Sequence, residues 1–205
     1  MTLIYHRQLD EEWEQAARGL SEQLNILLIG RSRGQKITLT QDWLEETLTI
    51  NTRVFKYKQP EQAFIQPNAS VNERMIEWAM SQISGPDSDL LELYCGIGNF
   101  TIPLATQFHR VLATEVSKVA TRAAIENLAL NGVTNVEFAR LSAEEMTIAM
   151  AGTRTFRRLA SLETALEDYN LHTVFVDPPR AGLDTGTLNL VSGFEEILYI
   201  SCNPM

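Results

Sequence analysis

The chain has 205 residues, 44% of them hydrophobic and 21% charged, with a net charge of −9 at neutral pH. That suffices for one sizeable core or two small ones and excludes a disordered or fibrous chain. No apolar run approaches the roughly 20 residues that span a bilayer, the opening Met1-Thr-Leu-Ile-Tyr-His-Arg7 lacks a signal-peptide pattern, and the acidic balance argues against broad, nonspecific attraction to nucleic acid, so a cytoplasmic protein is expected.

In chain order, Leu3-Ile4-Tyr5 reads as half of a strand. Asp10 caps a helix whose apolar stripe is Trp13, Ala16, Ala17, Leu20 and Leu24. Ile26–Ile29 and Lys36–Leu39 follow as strands around a Gly30/Gly34 turn region. Residues 1 to about 60 therefore form a small, partial α+β segment, and 61–205 a second domain. A helix opens near Ser70, carries Val71, Met75, Trp78, Ala79 and Ile83 on one face, and stops at Ser84-Gly85-Pro86. Strands are then predicted at 89–94, 110–115, 135–141, 172–177 and 196–201, alternating with helices near 99–107, 117–131, 142–150 and 184–192. Buried strands alternating with helices predict an α/β fold with a parallel, doubly wound sheet. Basic clusters at Arg31, Arg33 and Lys36, at Lys56 and Lys58, and at Arg154, Arg157 and Arg158 are either local phosphate contacts or solvated loop charges.

The turn Tyr94-Cys95-Gly96-Ile97-Gly98-Asn99-Phe100-Thr101 follows the first strand of that sheet. Its two glycines let the backbone approach a ligand and aim helix N–H groups at it. Thr101 stands where a dinucleotide fingerprint has its third glycine, which disfavours a pyrophosphate cofactor. Glu115, ending the next strand, is placed to accept both hydroxyls of a ribose, or is a solvated strand end. Asp177-Pro178-Pro179-Arg180 ends the strand at 172–177; the prolines hold Asp177 rigidly at the carboxyl edge of the sheet. Arg180 can grip a phosphate or carboxylate bidentately. The cysteines number two and stand apart, and His6, His109 and His172 are scattered singly, so no metal site is expected. Cys95 is an inert buried thiol or a passive wall of the turn. Cys202 differs, because a strand end, the Asn203-Pro204 turn and Asp177 place it beside the expected pocket.

Phe64-Ile-Gln-Pro-Asn68, Glu92-Leu-Tyr-Cys-Gly-Ile-Gly-Asn-Phe100, Ala113-Thr-Glu115, Val176-Asp-Pro-Pro-Arg-Ala-Gly-Leu-Asp184 and Ile200-Ser-Cys-Asn-Pro204 together resemble the RNA (uracil-5-)-methyltransferase family in order and spacing. Tyr5–Trp13 and Leu28–Arg31 look most like its tRNA branch, which methylates the T-loop uridine of tRNA and also acts on tmRNA. The resemblance implies a class I S-adenosylmethionine-dependent methyltransferase (Rossmann-like) sheet, incomplete at its C-terminal edge. It implies that Gln66, Tyr94, Gly96, Asn99, Glu115 and Asp177 hold S-adenosyl-L-methionine, that Cys202 is the nucleophile acting with Asp177, and that Phe64 and Arg180 face RNA. A thiol is needed because C5 of uracil becomes nucleophilic only once a thiolate has added to C6. The target base must also leave its stack to be reached.

The glutamate that serves this family as general base lies in a motif past the Ser-Cys-Asn-Pro string, and the last two strands of its sheet follow the cysteine strand. The isolated chain is therefore expected to bind cofactor weakly, not to turn over, and to self-associate through the open edge at 196–201. An enzyme acting on ribosomal RNA, or a noncatalytic cofactor- or RNA-binding module, are the alternatives.

Overall fold

The computed structural model describes residues 1–83 and 87–202, and the chain divides into two compact units, Met1–Leu44 and Glu45–Met205. The helix stop expected at Ser84-Gly85-Pro86 and the Asn203-Pro204 turn lie outside the described residues. No helix among the described residues is long and apolar enough to cross a membrane.

In the first unit, β1 (Thr2–Ile4) runs parallel to β2 (Ile29–Ser32), joined through α1 (Glu11–Leu24), and β2 pairs antiparallel with β3 (Gln35–Thr38). Asp10 caps α1 as expected, its carboxylate accepting from the Trp13 N–H at 2.8 Å. The expected stripe is only partly buried: Ala17 faces the small core with Leu28 and Leu39, whereas Ala16, Leu20 and Leu24 are exposed. The strand expected at Ile26–Ile29 begins at Ile29 instead, which moves Gly30 out of the turn and into β2. A Cβ on Gly30 would stand 2.2 Å from the Trp13 ring, so the indole occupies the space a side chain would need. The turn itself is made by Gly34, at φ +69°.

The second unit opens with a hairpin that sequence patterning leaves unassigned, β4 (Trp43–Ile50) and β5 (Arg53–Pro60), turned by Asn51 and Thr52 at φ +45° and +71°. Its inward residues Leu48, Ile50, Phe55 and Tyr57 are almost fully buried. The helix α2 (Ala69–Gln82) is capped by Asn68, which accepts from the Val71 N–H. It buries Asn72, Ile76 and Ala79, and leaves Val71 and Trp78, placed on the inner face by their spacing, 49% exposed.

Five parallel strands follow: β6 (Asp89–Leu93), β7 (Val111–Thr114), β8 (Val136–Ala139), β9 (Leu171–Val176) and β10 (Glu196–Tyr199), in the spatial order β10-β9-β6-β7-β8. Connecting them are α3 (Thr101–Leu104), α4 (Lys118–Asn131), α5 (Ala143–Met150) and α6 (Thr185–Val191). One face of the sheet, Leu90, Val111, Ala113, Phe175 and Leu198, packs with Ile76, Ile102, Leu104, Leu128 and the hairpin aromatics. The other, Leu91, Leu93, Leu112, Val174 and Val176, packs with Met146, Phe156, Tyr169 and Val191. Helices on both faces make the sheet doubly wound, as the alternation of elements predicts.

Each buried Leu, Val or Ile contributes on the order of 2 kcal/mol through the apolar surface it removes from water. The order reverses between β6 and β9, and ligands of such sheets sit outside the carboxyl ends of the strands at that reversal.

Candidate active site

The turn after β6 is built from left-handed backbone. Tyr94, Gly96 and Gly98 have φ of +62°, +57° and +85°, a conformation that strains a tyrosine and suits glycine. A Cβ on Gly98 would touch Ile102 and Ala124 at 3.4 and 3.7 Å, whereas one on Gly96 would meet nothing within 4 Å. At Gly98 it is therefore the positive φ, not a lack of space, that calls for glycine, whereas Gly96 presents bare backbone to open space. The turn is fixed by Cys95 N–H to Thr114 C=O at 3.0 Å and Gly98 N–H to Cys95 C=O at 2.9 Å. The helix it opens is a single turn, shorter than the 99–107 segment expected, and passes into a 3₁₀ turn at Ala105–Gln107.

A cavity in the crook of this turn is lined by Gln59, Phe64, Gln66, Glu92, Tyr94, Gly96, Asn99 and Asp177. Sequence-expected residues from three separated segments, 64–66, 94–99 and 177, therefore meet at one place. Phe64 is 76% exposed at its rim. Burial pushes the Asp177 carboxyl up to about 6. Asn99 exchanges two hydrogen bonds with Asn72 of α2, at 2.8 and 2.9 Å, and its backbone carbonyl accepts from Tyr57 Oη at 3.0 Å. Glu115 lies beside this cavity, not among its lining residues. One carboxylate oxygen accepts from the Gly96 N–H at 3.1 Å and the other from the Ser117 N–H at 2.7 Å.

Cys95 is buried, and burial first, then the nearby Glu92 and Glu115, drive its thiol well above the ordinary range. Such a thiol is a wall, not a nucleophile. Cys202 is exposed. It follows β10, whose end is tied to β9 by the Ile200 N–H to Val176 C=O bond at 3.0 Å, immediately before Asp177. Neither Cys202 nor the exposed Arg180 lines the cavity. Of the basic residues, Lys36, Lys58 and Arg158 are ion-paired with Asp42, Glu126 and Glu145.

Several polar residues at the site were not singled out from sequence. Asn127 is fully buried on α4 and holds three backbone groups: it accepts from the Lys58 N–H at 2.7 Å and donates to the Lys58 and Ile97 carbonyls at 3.2 and 3.0 Å. One turn on, Asn131 does the same to Lys56, at 2.9 and 2.7 Å. The two amides take the place of a neighbouring strand along β5. Two asparagines four apart inside a helix, where Asn is a poor helix former, are the signal that could have found them. Glu92 is 1% exposed in the central strand, and its Oε2 has no hydrogen-bond partner. Its signal was an acid inside an otherwise apolar strand, Leu90-Leu91-Glu92-Leu93.

A parallel sheet with a glycine turn after its central strand, an acid after the next and a cavity holding two acids at its switch point defines an α/β domain of the nucleotide-cofactor kind. The buried acids of that cavity suit a ligand carrying positive charge. The chain belongs to the tRNA (uracil-5-)-methyltransferase family, whose model matches residues 1–205. It is 57% identical over 204 residues to a tRNA/tmRNA (uracil-C(5))-methyltransferase of Neisseria meningitidis serogroup C, covering 100% of this chain and 56% of that protein. It is likewise 57% identical to the enzyme of that name from Ectopseudomonas mendocina, with the same two shares covered. The chain thus spans about half the length of the curated relatives it matches. Among solved structures, the fold is like that of Pyrococcus abyssi tRNA (uracil-54, C5)-methyltransferase in complex with S-adenosyl-L-homocysteine, at TM-score 0.62 and 22% identity over 86% of this chain and 41% of that one.

Proposed function

We propose that this chain carries the methyl-transfer site of an enzyme that methylates C5 of the T-loop uridine of tRNA, with S-adenosyl-L-methionine as cofactor. The observation that carries the reading is the shared edge. β6, β9 and β10 are parallel, so the glycine turn, Asp177 and the Cys202 segment all leave the sheet at its carboxyl end.

S-adenosyl-L-methionine supplies the methyl group when bound, and Gln66, Tyr94, Gly96, Asn99, Glu115 and Asp177 are the residues to hold it. Cys202 adds through Sγ to C6 of the uracil, forming the S–C6 bond and moving the C5=C6 electron pair towards C5, where the methyl group is received. Loss of the C5 proton to a base restores the double bond and expels the thiolate. Phe64, exposed at the cavity rim, offers a face to the flipped base, and Arg180 a grip on phosphate. In this division of labour residues 1 to about 60 serve RNA binding and linking, and 61–205 methyl transfer; the clamp from α4 onto β5 attaches the end of the first segment to the second.

RNA containing 5-fluorouridine tests the bond-forming half by itself, because fluorine at C5 cannot be lost as a proton. A T-arm RNA so substituted, mixed with S-adenosyl-L-methionine and a full-length protein carrying this chain, should give a protein–RNA band that survives denaturing electrophoresis. Cys202→Ala should abolish it. Trapping by the alanine variant refutes the nucleophile assignment, and no trapping by the native full-length protein refutes the reading.

A further inference from the structure

Glu92 has no part in the chemistry above, yet its position is the least explained in the fold. It sits in the central strand, opposite Phe175 of β9 and Ala113 of β7 in register. Its side chain lies on the sheet face that also buries Phe100 and Phe175, is 1% exposed, and opens only into the cavity it lines with Gln66, Tyr94, Asn99 and Asp177. Oε2 is without a hydrogen-bond partner, and so is the buried Thr101 Oγ1. An ionised carboxylate left this way costs several kcal/mol, which a folded protein avoids by holding the proton or by meeting a cation.

Resting on the assignment of this cavity to the cofactor, we propose that Glu92 is the group that receives the cofactor's positive charge, holding a proton while the cavity is empty and releasing it to solvent when the charged ligand enters. The groups around it agree. Burial is the main influence pushing Glu92 up to about 8; the neighbouring Thr101 hydroxyl, close enough to work in the opposite direction but short of hydrogen-bond geometry, offsets little of it, and the charge of Asp177 adds to the rise. Tyr57 of β5 and Cys95 of the turn also feel the Glu92 charge, and both are held neutral above their ordinary ranges by burial. Glu46 acts on Tyr57 and Glu115 on Cys95, again as acids. None of these neighbours is a cation, so an ammonium or sulfonium would be the first positive charge Glu92 meets. The proton balance is one carboxyl O–H broken, one carboxylate left facing the ligand, and one proton delivered to the buffer.

A carboxyl that must ionise before binding weakens its ligand about a hundredfold two pH units below its own pKa and about twofold at it. Equilibrium dialysis of labelled S-adenosyl-L-methionine against this chain should therefore show Kd tightening by about fiftyfold from pH 6 to pH 8. Glu92→Gln, which keeps the size and the neutral state, should match the native chain near pH 6 and fall progressively behind it as pH rises. Taking the ratio of the two profiles removes the ligand's own titration. Parallel profiles overturn the proposal while leaving the cofactor assignment intact. Absence of binding by the native chain at every pH, together with no 5-fluorouridine trapping, overturns both. Should the variant fail to fold, calorimetry of the native chain at pH 7 in two buffers of different ionisation enthalpy decides: release approaching one proton per ligand supports the proposal, and none overturns it.

Discussion

Replacing Asn127 by Ala removes one buried side chain and three hydrogen bonds, to Lys58 N–H, Lys58 C=O and Ile97 C=O. At roughly 1 kcal/mol net for each bond, the loss is about 3 kcal/mol, and the stranded backbone groups at a fully buried site keep it from being smaller. With a urea slope of about 1–3 kcal/mol per molar, the midpoint of the second unit should fall by about 1 M or more. Asn127→Asp sharpens the test. It preserves volume and the acceptor for Lys58, but sets an acid against two carbonyls, so it should cost at least as much as alanine. Amide exchange at Lys58 should accelerate in both variants. Because Ile97 belongs to the glycine turn proposed to hold the cofactor, cofactor affinity should drop with stability. A loss below about 0.5 kcal/mol for either variant, with Lys58 still protected, would show that the amide clamp does not hold the hairpin to α4.

Other outcomes follow from the same structure. Burial acts to raise Asp89, but hydrogen bonds from Arg110, the Asn170 N–H and His109, with the Arg110 charge, outweigh it and hold its pKa below the usual carboxylate range. Its stabilisation is therefore present above the unfolded carboxylate range and is lost as pH falls through its own lowered pKa; Asp89→Asn should flatten that acid limb and cost about 3–5 kcal/mol at pH 7, measured by urea unfolding. Glu92 has the opposite sign. Its folded pKa of about 8 lies above the unfolded value, so stability falls as pH rises between them, and Glu92→Gln should be more stable than the native chain by roughly 3 kcal/mol at pH 7 and equal to it near pH 4. Gly30→Ala drives a methyl into the Trp13 ring and should destabilise the first unit by about 1–3 kcal/mol, read as a lowered midpoint in tryptophan fluorescence, whereas Gly19→Ala, with nothing within 4 Å, should be neutral or stabilising.

The parallel sheet was legible because its signals are local. Leu90–Leu93, Val111–Ala113 and Val174–Val176 are apolar runs with turn residues behind them, and Asp10, Asn68, Ser117, Ser142 and Asp184 announce helices by bonds that span only two or three residues. The hairpin β4–β5 was less so, since its strands belong to one element only through the Asn51-Thr52 turn and the clamp from α4, both invisible to periodicity. Spacing put Val71 and Trp78 of α2 inside and the structure puts Asn72 there, because Asn72 has Asn99 to bond and a hydropathy pattern counts asparagine as surface.

By itself, then, the sequence determined the strands and most of the helices of the parallel sheet and which residues carry reactive groups, for these follow from neighbours a few positions away. Only the tertiary structure decided that 64–66, 94–99 and 177 share a cavity, that Glu115 spends its oxygens on Gly96 and Ser117, and that Glu92 Oε2 is buried without a hydrogen-bond partner. Strand order does this, by setting β9 against β6 across more than 70 intervening residues. A carboxyl's protonation then depends on what that order packs around it, a property no local stretch of chain possesses.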